Sequence, residues 1–90
     1  MAYRINYTDE ARGALRTIPG NYRQRLRRLI ESLANEPLPV GAKELRNLPY
    51  RYRLRLDRWR VIYRVNDDDM TILILLIRRK EGPETYQDIE

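Results

Sequence analysis

The sequence predicts an α+β fold of order βααβββ, a helical hairpin packed on a curved, mainly antiparallel four-stranded sheet. Three observations carry that expectation. Two stretches of helical apolar periodicity lie back to back between residues 8 and 35, separated only by Pro19-Gly20. The segments 2–7, 50–56 and 59–65 alternate side-chain character with the period of a strand. The stretch Thr71 to Ile77 is apolar on both faces, as expected of a central strand covered on each side.

In the opening strand Tyr3, Ile5 and Tyr7 share one face, with Arg4 and Asn6 on the other. Thr8, followed by Asp9 and Glu10, reads as an N-cap with acids in the first helical turn, where they complement the helix dipole. Ala11, Ala14, Leu15 and Ile18 then recur at helical spacing, and Pro19-Gly20 ends the helix. Gly13 weakens it by about 1 kcal/mol relative to alanine. Asn21 is expected to cap a second helix running to about Asn35. Its apolar stripe is Tyr22, Leu26, Leu29, Ile30 and Leu33, and Arg23, Arg25, Arg27 and Arg28 cover much of the rest. Residues 38–49 read as a loop. Asp57-Arg58 and Asp67-Asp68-Asp69 read as the turns between the last three strands, and Pro83 is placed to open a short C-terminal helix. Residues 1–90 read as a single domain, without repeat, linker or low-complexity tract.

Composition excludes several kinds of chemistry. The chain has no cysteine and no histidine, which removes disulfides, thiol nucleophiles, the commonest general base and the usual zinc ligands. No metal or cofactor is expected, and catalysis would have to run on Arg, Lys, Tyr, Asp or Glu. The start of the chain, Met1 to Thr8, is polar and alternating rather than a signal peptide, and the longest apolar run is too short to cross a bilayer. A cytoplasmic setting without membrane association is the expectation. The net charge is +5, and all the basic residues except two lysines are arginine. A guanidinium fork donates two parallel hydrogen bonds to phosphate, so a polyanionic partner is the natural reading.

The arginines are concentrated in residues 51–64, where six of them face one aspartate for a local charge of +5. A two-residue turn at Asp57-Arg58 pairs Leu56 with Trp59. Counting outward, Arg55 falls opposite Arg60 and Arg51 opposite Arg64, with Arg53 between them opposite Ile62. Like charges directly across a ladder destabilise it by up to ~1 kcal/mol per pair. Two such pairs make sense if an anion sits among them. The plainer alternative is that the arginines splay into water and pair with carboxylates elsewhere. A second basic cluster, Arg78-Arg79-Lys80, follows the central strand. Lys80 stands out there because lysine exchanges a proton where arginine hardly can. Tyr86, past Gly82-Pro83, suits stacking on an unpaired base beside a basic groove, or simply packing of the C-terminal segment.

Over nearly its whole length the sequence resembles the RelE/ParE superfamily of bacterial toxin–antitoxin toxins, and its RelE-like mRNA interferase branch in particular. The resemblance rests on residues 3–11 (YRINYTDEA), 45–49 (LRNLP), 52–56 (YRLRL) and above all 59–65 (WRVIYRV). It implies the order βααβββ and a ribosome-dependent endoribonuclease that cleaves messenger RNA in the A site. The 2′-hydroxyl attacks the adjacent phosphate, leaving a 2′,3′-cyclic phosphate and a free 5′-hydroxyl. By position, Arg53 and Arg55 match two basic residues of the second strand and Arg60 the arginine of the third. Lys80 matches a basic residue after the fourth strand, and Tyr86 a C-terminal tyrosine that stacks on the base. Arg51, Arg64, Arg78 and Arg79 are expected to add RNA contacts. The sequence departs from the RelE pattern at Arg55, where that pattern has lysine. Arginine keeps its proton, so Arg55 acts electrostatically or Lys80 takes over as base.

The implied partners are a cognate antitoxin protein, messenger RNA and the ribosome. Three other readings stay open at this point. A ParE-like member would poison DNA gyrase and cut no RNA. A plain nucleic-acid-binding module would bind in a steeply salt-dependent way without producing new RNA ends. A degenerate toxin would be kept for complex formation alone.

Overall fold

Residues 2–80 are described by a computed structural model. The strands are β1 (Arg4–Tyr7), β2 (Lys43–Glu44), β3 (Arg51–Leu56), β4 (Trp59–Asn66) and β5 (Thr71–Arg79), and the helices are α1 (Asp9–Thr17) and α2 (Gly20–Ser32). Among the described residues the sheet has five strands in the order β1-β5-β4-β3-β2, with β1 parallel to β5 and every other pairing antiparallel. The expected order of elements holds, with one strand more than the four predicted. The addition is β2, inside the segment read as a loop. It is two residues long, exposed, and pairs Lys43 with Arg53 and Glu44 with Tyr52. Two charged edge residues carry no alternation from which a strand could be read.

The β3–β4 hairpin has the predicted register, Arg51 with Arg64, Arg53 with Ile62, Arg55 with Arg60 and Leu56 with Trp59. Asp57 takes a left-handed φ of 52° in its turn, which short polar side chains tolerate better than most. In the β4–β5 turn Met70 also adopts a positive φ of 53°, while the Asn66 side-chain oxygen accepts from the Asp69 N–H at 3.1 Å.

The two helices lie on one face of the sheet. Thr8 caps α1 as expected, its Oγ1 accepting from the Ala11 N–H at 3.0 Å. The second helix begins two residues earlier than predicted and without a side-chain cap. Pro19 is its N-cap residue, with ψ 144°, and the Pro19 carbonyl accepts from the Arg23 N–H at 2.8 Å. Asn21 is therefore already inside the first turn and caps nothing. The helix closes at Ser32, three residues short of Asn35, and the chain turns through Glu36 on short-range hydrogen bonds. Leu26, Ile30 and Leu33 are fully buried against Leu54, Val61, Tyr63, Val65, Ile72, Ile74 and Ile77 of the sheet. Each such side chain contributes about 1.5–3 kcal/mol of transfer free energy.

The central strand carries a bulge. Ile62 pairs with Leu76 and Tyr63 with Ile74, so Leu75 is an extra residue on β5. The phase of the strand shifts there, and Ile72, Ile74 and Ile77 all reach the helix side although their spacing is two and then three. The bulge is pinned by Thr8, which donates from its hydroxyl to the Leu75 carbonyl at 2.8 Å and from its N–H to the Ile74 carbonyl at 3.0 Å. The expectation that β5 is covered on both sides holds for the helix side only. Leu73 and Leu76, on the opposite face, are half-buried and meet no helix among the described residues.

Candidate functional site

The face of the sheet turned away from the helices carries the arginines. Register and alternation set them in cross-strand rows. One row runs Arg55–Arg60–Arg78 across β3, β4 and β5. The next is Arg53–Ile62–Leu76, and the third Arg51–Arg64–Leu73. Neighbouring strands are about 4.8 Å apart, so the three backbones of the first row span about 10 Å. The site is thus a basic strip flanked on β5 by leucines.

The arginines differ sharply in exposure. Arg60, at the centre of the first row, is 1% exposed, and Arg53 is 7% exposed. Arg55 and Arg64 are exposed, and Arg51 and Arg78 half-buried. Taking a guanidinium out of water is costly unless other groups engage it, and both Arg53 and Arg60 are engaged within the chain. A buried, engaged guanidinium is held in place, and fixed donors are what a developing anionic charge requires. Around these two, Arg55 and Arg78 supply positive charge that no carboxylate of the described residues neutralises at ion-pair distance.

The end of β5 divides the second basic cluster. The bulge brings Arg78 beside Arg60, whereas Arg79 pairs with Trp59 and lies on the helix side, at a cleft that also contains Thr17 and Tyr22. Arg79 is therefore not brought to the arginine strip. Lys80 follows, half-buried, and its N–H donates to the Arg58 carbonyl at 2.7 Å, which continues the ladder past the end of the strand. Continued alternation returns Lys80 to the face of Arg78. Tyr86 and the helix expected from Pro83 lie outside the described residues.

The scaffold behind the strip is held by tyrosines. Tyr63 is fully buried, donates to the Pro37 carbonyl at 2.7 Å and lies 5.8 Å from the ring of Tyr52. Burial, and then the neighbouring Tyr52, push its phenol well above the ordinary tyrosine range. The contact ties the segment after α2 to β4. Tyr3 donates to Asp67 at 2.6 Å and fastens the start of β1 to the β4–β5 turn.

Sequence reasoning locates the strip but not its burial pattern, nor the cluster at the hairpin tip. There Arg25 pairs with Asp57 at 3.1 Å and lies 5.6 Å from the centre of the Tyr22 ring, and Tyr22 is 6.3 Å from Trp59. The only trace of that cluster in the sequence is that Tyr22 and Trp59 both fall at the end of an element beside a turn.

Comparison with known proteins agrees with this architecture. The family described as the ParE toxin of the type II toxin–antitoxin system parDE matches residues 5–82. The mRNA interferase toxin RelE of Escherichia coli is 24% identical over 90 residues, covering 98% of this chain and 94% of that one. Toxin RelG of Mycobacterium tuberculosis is 31% identical over 81 residues, covering 86% of this chain and 90% of the relative. Among solved structures, the archaeal RelE–RelB complex from Pyrococcus horikoshii contains a chain 30% identical to this one, with a TM-score of 0.82 and coverage of 92% here and 100% there. The chain belongs to the RelE/ParE superfamily of toxins of type II toxin–antitoxin systems.

Proposed function

We propose that this chain is an endoribonuclease that cleaves messenger RNA in the ribosomal A site and is held in check by a cognate antitoxin. The supporting observation is the Arg55–Arg60–Arg78 row with Arg53 in the next row, a surface of arginine donors on a rigid sheet in which Arg60 and Arg53 are buried. RNA cleavage by the 2′-hydroxyl needs little more than such a surface. The 2′-oxygen loses its proton and bonds to phosphorus, and the bond to the 5′-oxygen breaks. That oxygen takes up a proton, leaving a 2′,3′-cyclic phosphate and a 5′-hydroxyl. Negative charge builds on the non-bridging oxygens between these events, and Arg53 and Arg60 are assigned to meet it. Arg55 acts through its charge. Lys80 is the one basic side chain of the set suited to exchanging a proton, and Tyr86 is assigned to stack on the base. Arg51, Arg64 and Arg78 hold flanking phosphates. Alignment of the 2′-hydroxyl with the scissile bond carries much of the rate, and the ribosome supplies part of it.

The antitoxin reading draws on the solved relative, which is a complex with RelB. Leu73 and Leu76, half-buried beside a basic strip, suit an acidic amphipathic segment.

The test is mapping of RNA 5′-ends in a purified translation system with wild-type protein, Arg60→Ala and Lys80→Ala, each checked for folding by circular dichroism. Ribosome-dependent new ends within the A-site codon, lost in folded variants, support the assignment. Normal translation without new ends would sink it. One observation favours a second reading, a gyrase poison, because the matching family is described as a ParE toxin. A supercoiling assay separates the two.

A further inference from the structure

The cleft at the tip of the β3–β4 hairpin is unused by the chemistry above. It encloses about 670 Å³ and is lined by Thr17, Tyr22, Asp57, Arg58, Trp59 and Arg79, a size typical of small-ligand pockets. Trp59 is half-buried and packs against the core at one edge, with Tyr22 tilted by 54° beside it. The one carboxylate of the lining, Asp57, is taken up by Arg25 at 3.1 Å. Arg25 also lies 5.6 Å from the centre of the Tyr22 ring. Arg58 and Arg79 are exposed, and among the described residues no carboxylate pairs with either. An aromatic ring and two guanidiniums that no carboxylate of the described residues pairs with thus line one cleft.

Its position relative to the arginine strip gives this arrangement a purpose. Trp59 pairs with Leu56 on one side and Arg79 on the other, one register step from the row Arg55–Arg60–Arg78. The strip and the cleft are on opposite faces of the sheet, and the Asp57-Arg58 turn is the edge over which one passes to the other. A single strand leaving the strip over that edge meets Arg58 first and the ring of Trp59 next.

We propose that this cleft binds one unpaired nucleotide of RNA, its base stacked on Trp59 and its phosphate held by Arg58 and Arg79. The proposal rests on the reading of RNA as the substrate and extends the RNA path beyond the cleavage site. A flat ring beside guanidinium forks is how sequence-tolerant single-strand sites are built, because every base offers a π-face. The site therefore adds affinity without adding codon preference.

Trp59 is the chain's sole tryptophan, so it reports on its own site. The probe is a 2′-O-methyl hexaadenylate, which cannot be cleaved, followed by Trp59 emission and by anisotropy of an end-labelled copy. Wild-type emission is quenched with the same midpoint as the anisotropy change. The double variant Arg58→Ala, Arg79→Ala binds about tenfold more weakly and loses most of the quenching. Its log-affinity against log-salt slope falls by about 0.7 for each phosphate it no longer neutralises. Arg55→Gln, on the strip, weakens binding but keeps the full quench at saturation. Binding by anisotropy without any change in Trp59 emission overturns the proposal. So does a double variant that binds and quenches like wild type, and an acidic peptide segment then becomes the better occupant to try. Quenching that persists in a protein producing no RNA ends refutes the nuclease reading and leaves the cleft standing. Cleavage without quenching refutes the cleft alone.

Discussion

Replacing Arg55 by glutamine should stabilise the protein and cripple it at once. Arg55 is exposed, is paired directly across the ladder with Arg60, and has no carboxylate of the described residues at ion-pair distance. Facing residues of a ladder have Cβ atoms about 5 Å apart, and unit charges at that separation would repel by about 0.8 kcal/mol even at the dielectric constant of water. That agrees with the cost of up to ~1 kcal/mol for like charges facing across a ladder. Glutamine keeps most of the aliphatic stem and removes the charge. The expected gain is about 0.5–1 kcal/mol, or roughly 3–6 °C in Tm for a domain of this size. In 1 M salt the Debye length shrinks to about 3 Å, so the gain should largely vanish there. Thermal melts of both proteins at low and high salt measure it. The same substitution should lower A-site cleavage by about tenfold or more, as expected for loss of one aligned charge. A lower Tm at low salt would refute the reasoning, because Arg55 would then be a structural residue and not a charge kept for an anion.

Three further outcomes are expected. Thr8→Ala should cost about 2 kcal/mol in chemical denaturation, combining a lost N-cap with a lost hydrogen bond to the bulge carbonyl, while Thr8→Ser recovers most of it. Arg60→Lys should fold but lose about a hundredfold or more in cleavage, since an ammonium cannot reproduce two parallel donors, and single-turnover rates on programmed ribosomes would show it. Stability should decline in alkali. The buried Tyr63 phenol has its pKa raised by folding, so its contribution is full below the unfolded value near 10 and is lost as pH rises beyond that, by up to about 1.4 kcal/mol per unit. Urea titrations between pH 8 and 11 should show the decline, and Tyr63→Phe, which cannot ionise, should flatten part of it.

The legible parts of the fold are those where one local rule dominates. The β3–β4 register follows from alternation and a two-residue turn, and these two rules suffice to put the arginines of β3 and β4 in their rows. The Thr8 cap is equally readable, because Asp9 and Glu10 stand behind it. What escapes depends on contacts across the chain. The bulge at Leu75 is invisible in an unbroken apolar run, yet it decides that Arg78 joins the strip and Arg79 does not. β2 exists because β3 offers it an edge, and nothing in Lys43-Glu44 asks for a strand. Asn21 reads as a cap on its residue type alone, whereas the turn at Pro19 satisfies the helix start with backbone. The burial of Arg53 and Arg60 is the least legible feature, since arginine on an alternating strand reads as solvent-facing.

The parallel pairing of β1 with β5 also has a consequence in time. Thr8 and Leu75, which lock that pairing, are 67 residues apart, and such distant contacts are slow to close. β5 is also the strand that supplies Arg78 to the arginine row. A chain still being synthesised therefore has no complete row until β5 has emerged, and its first strand must wait for the same event. The last described strand thus completes the sheet and the arginine row together, and the row can form only when β3, β4 and β5 are all present to pair.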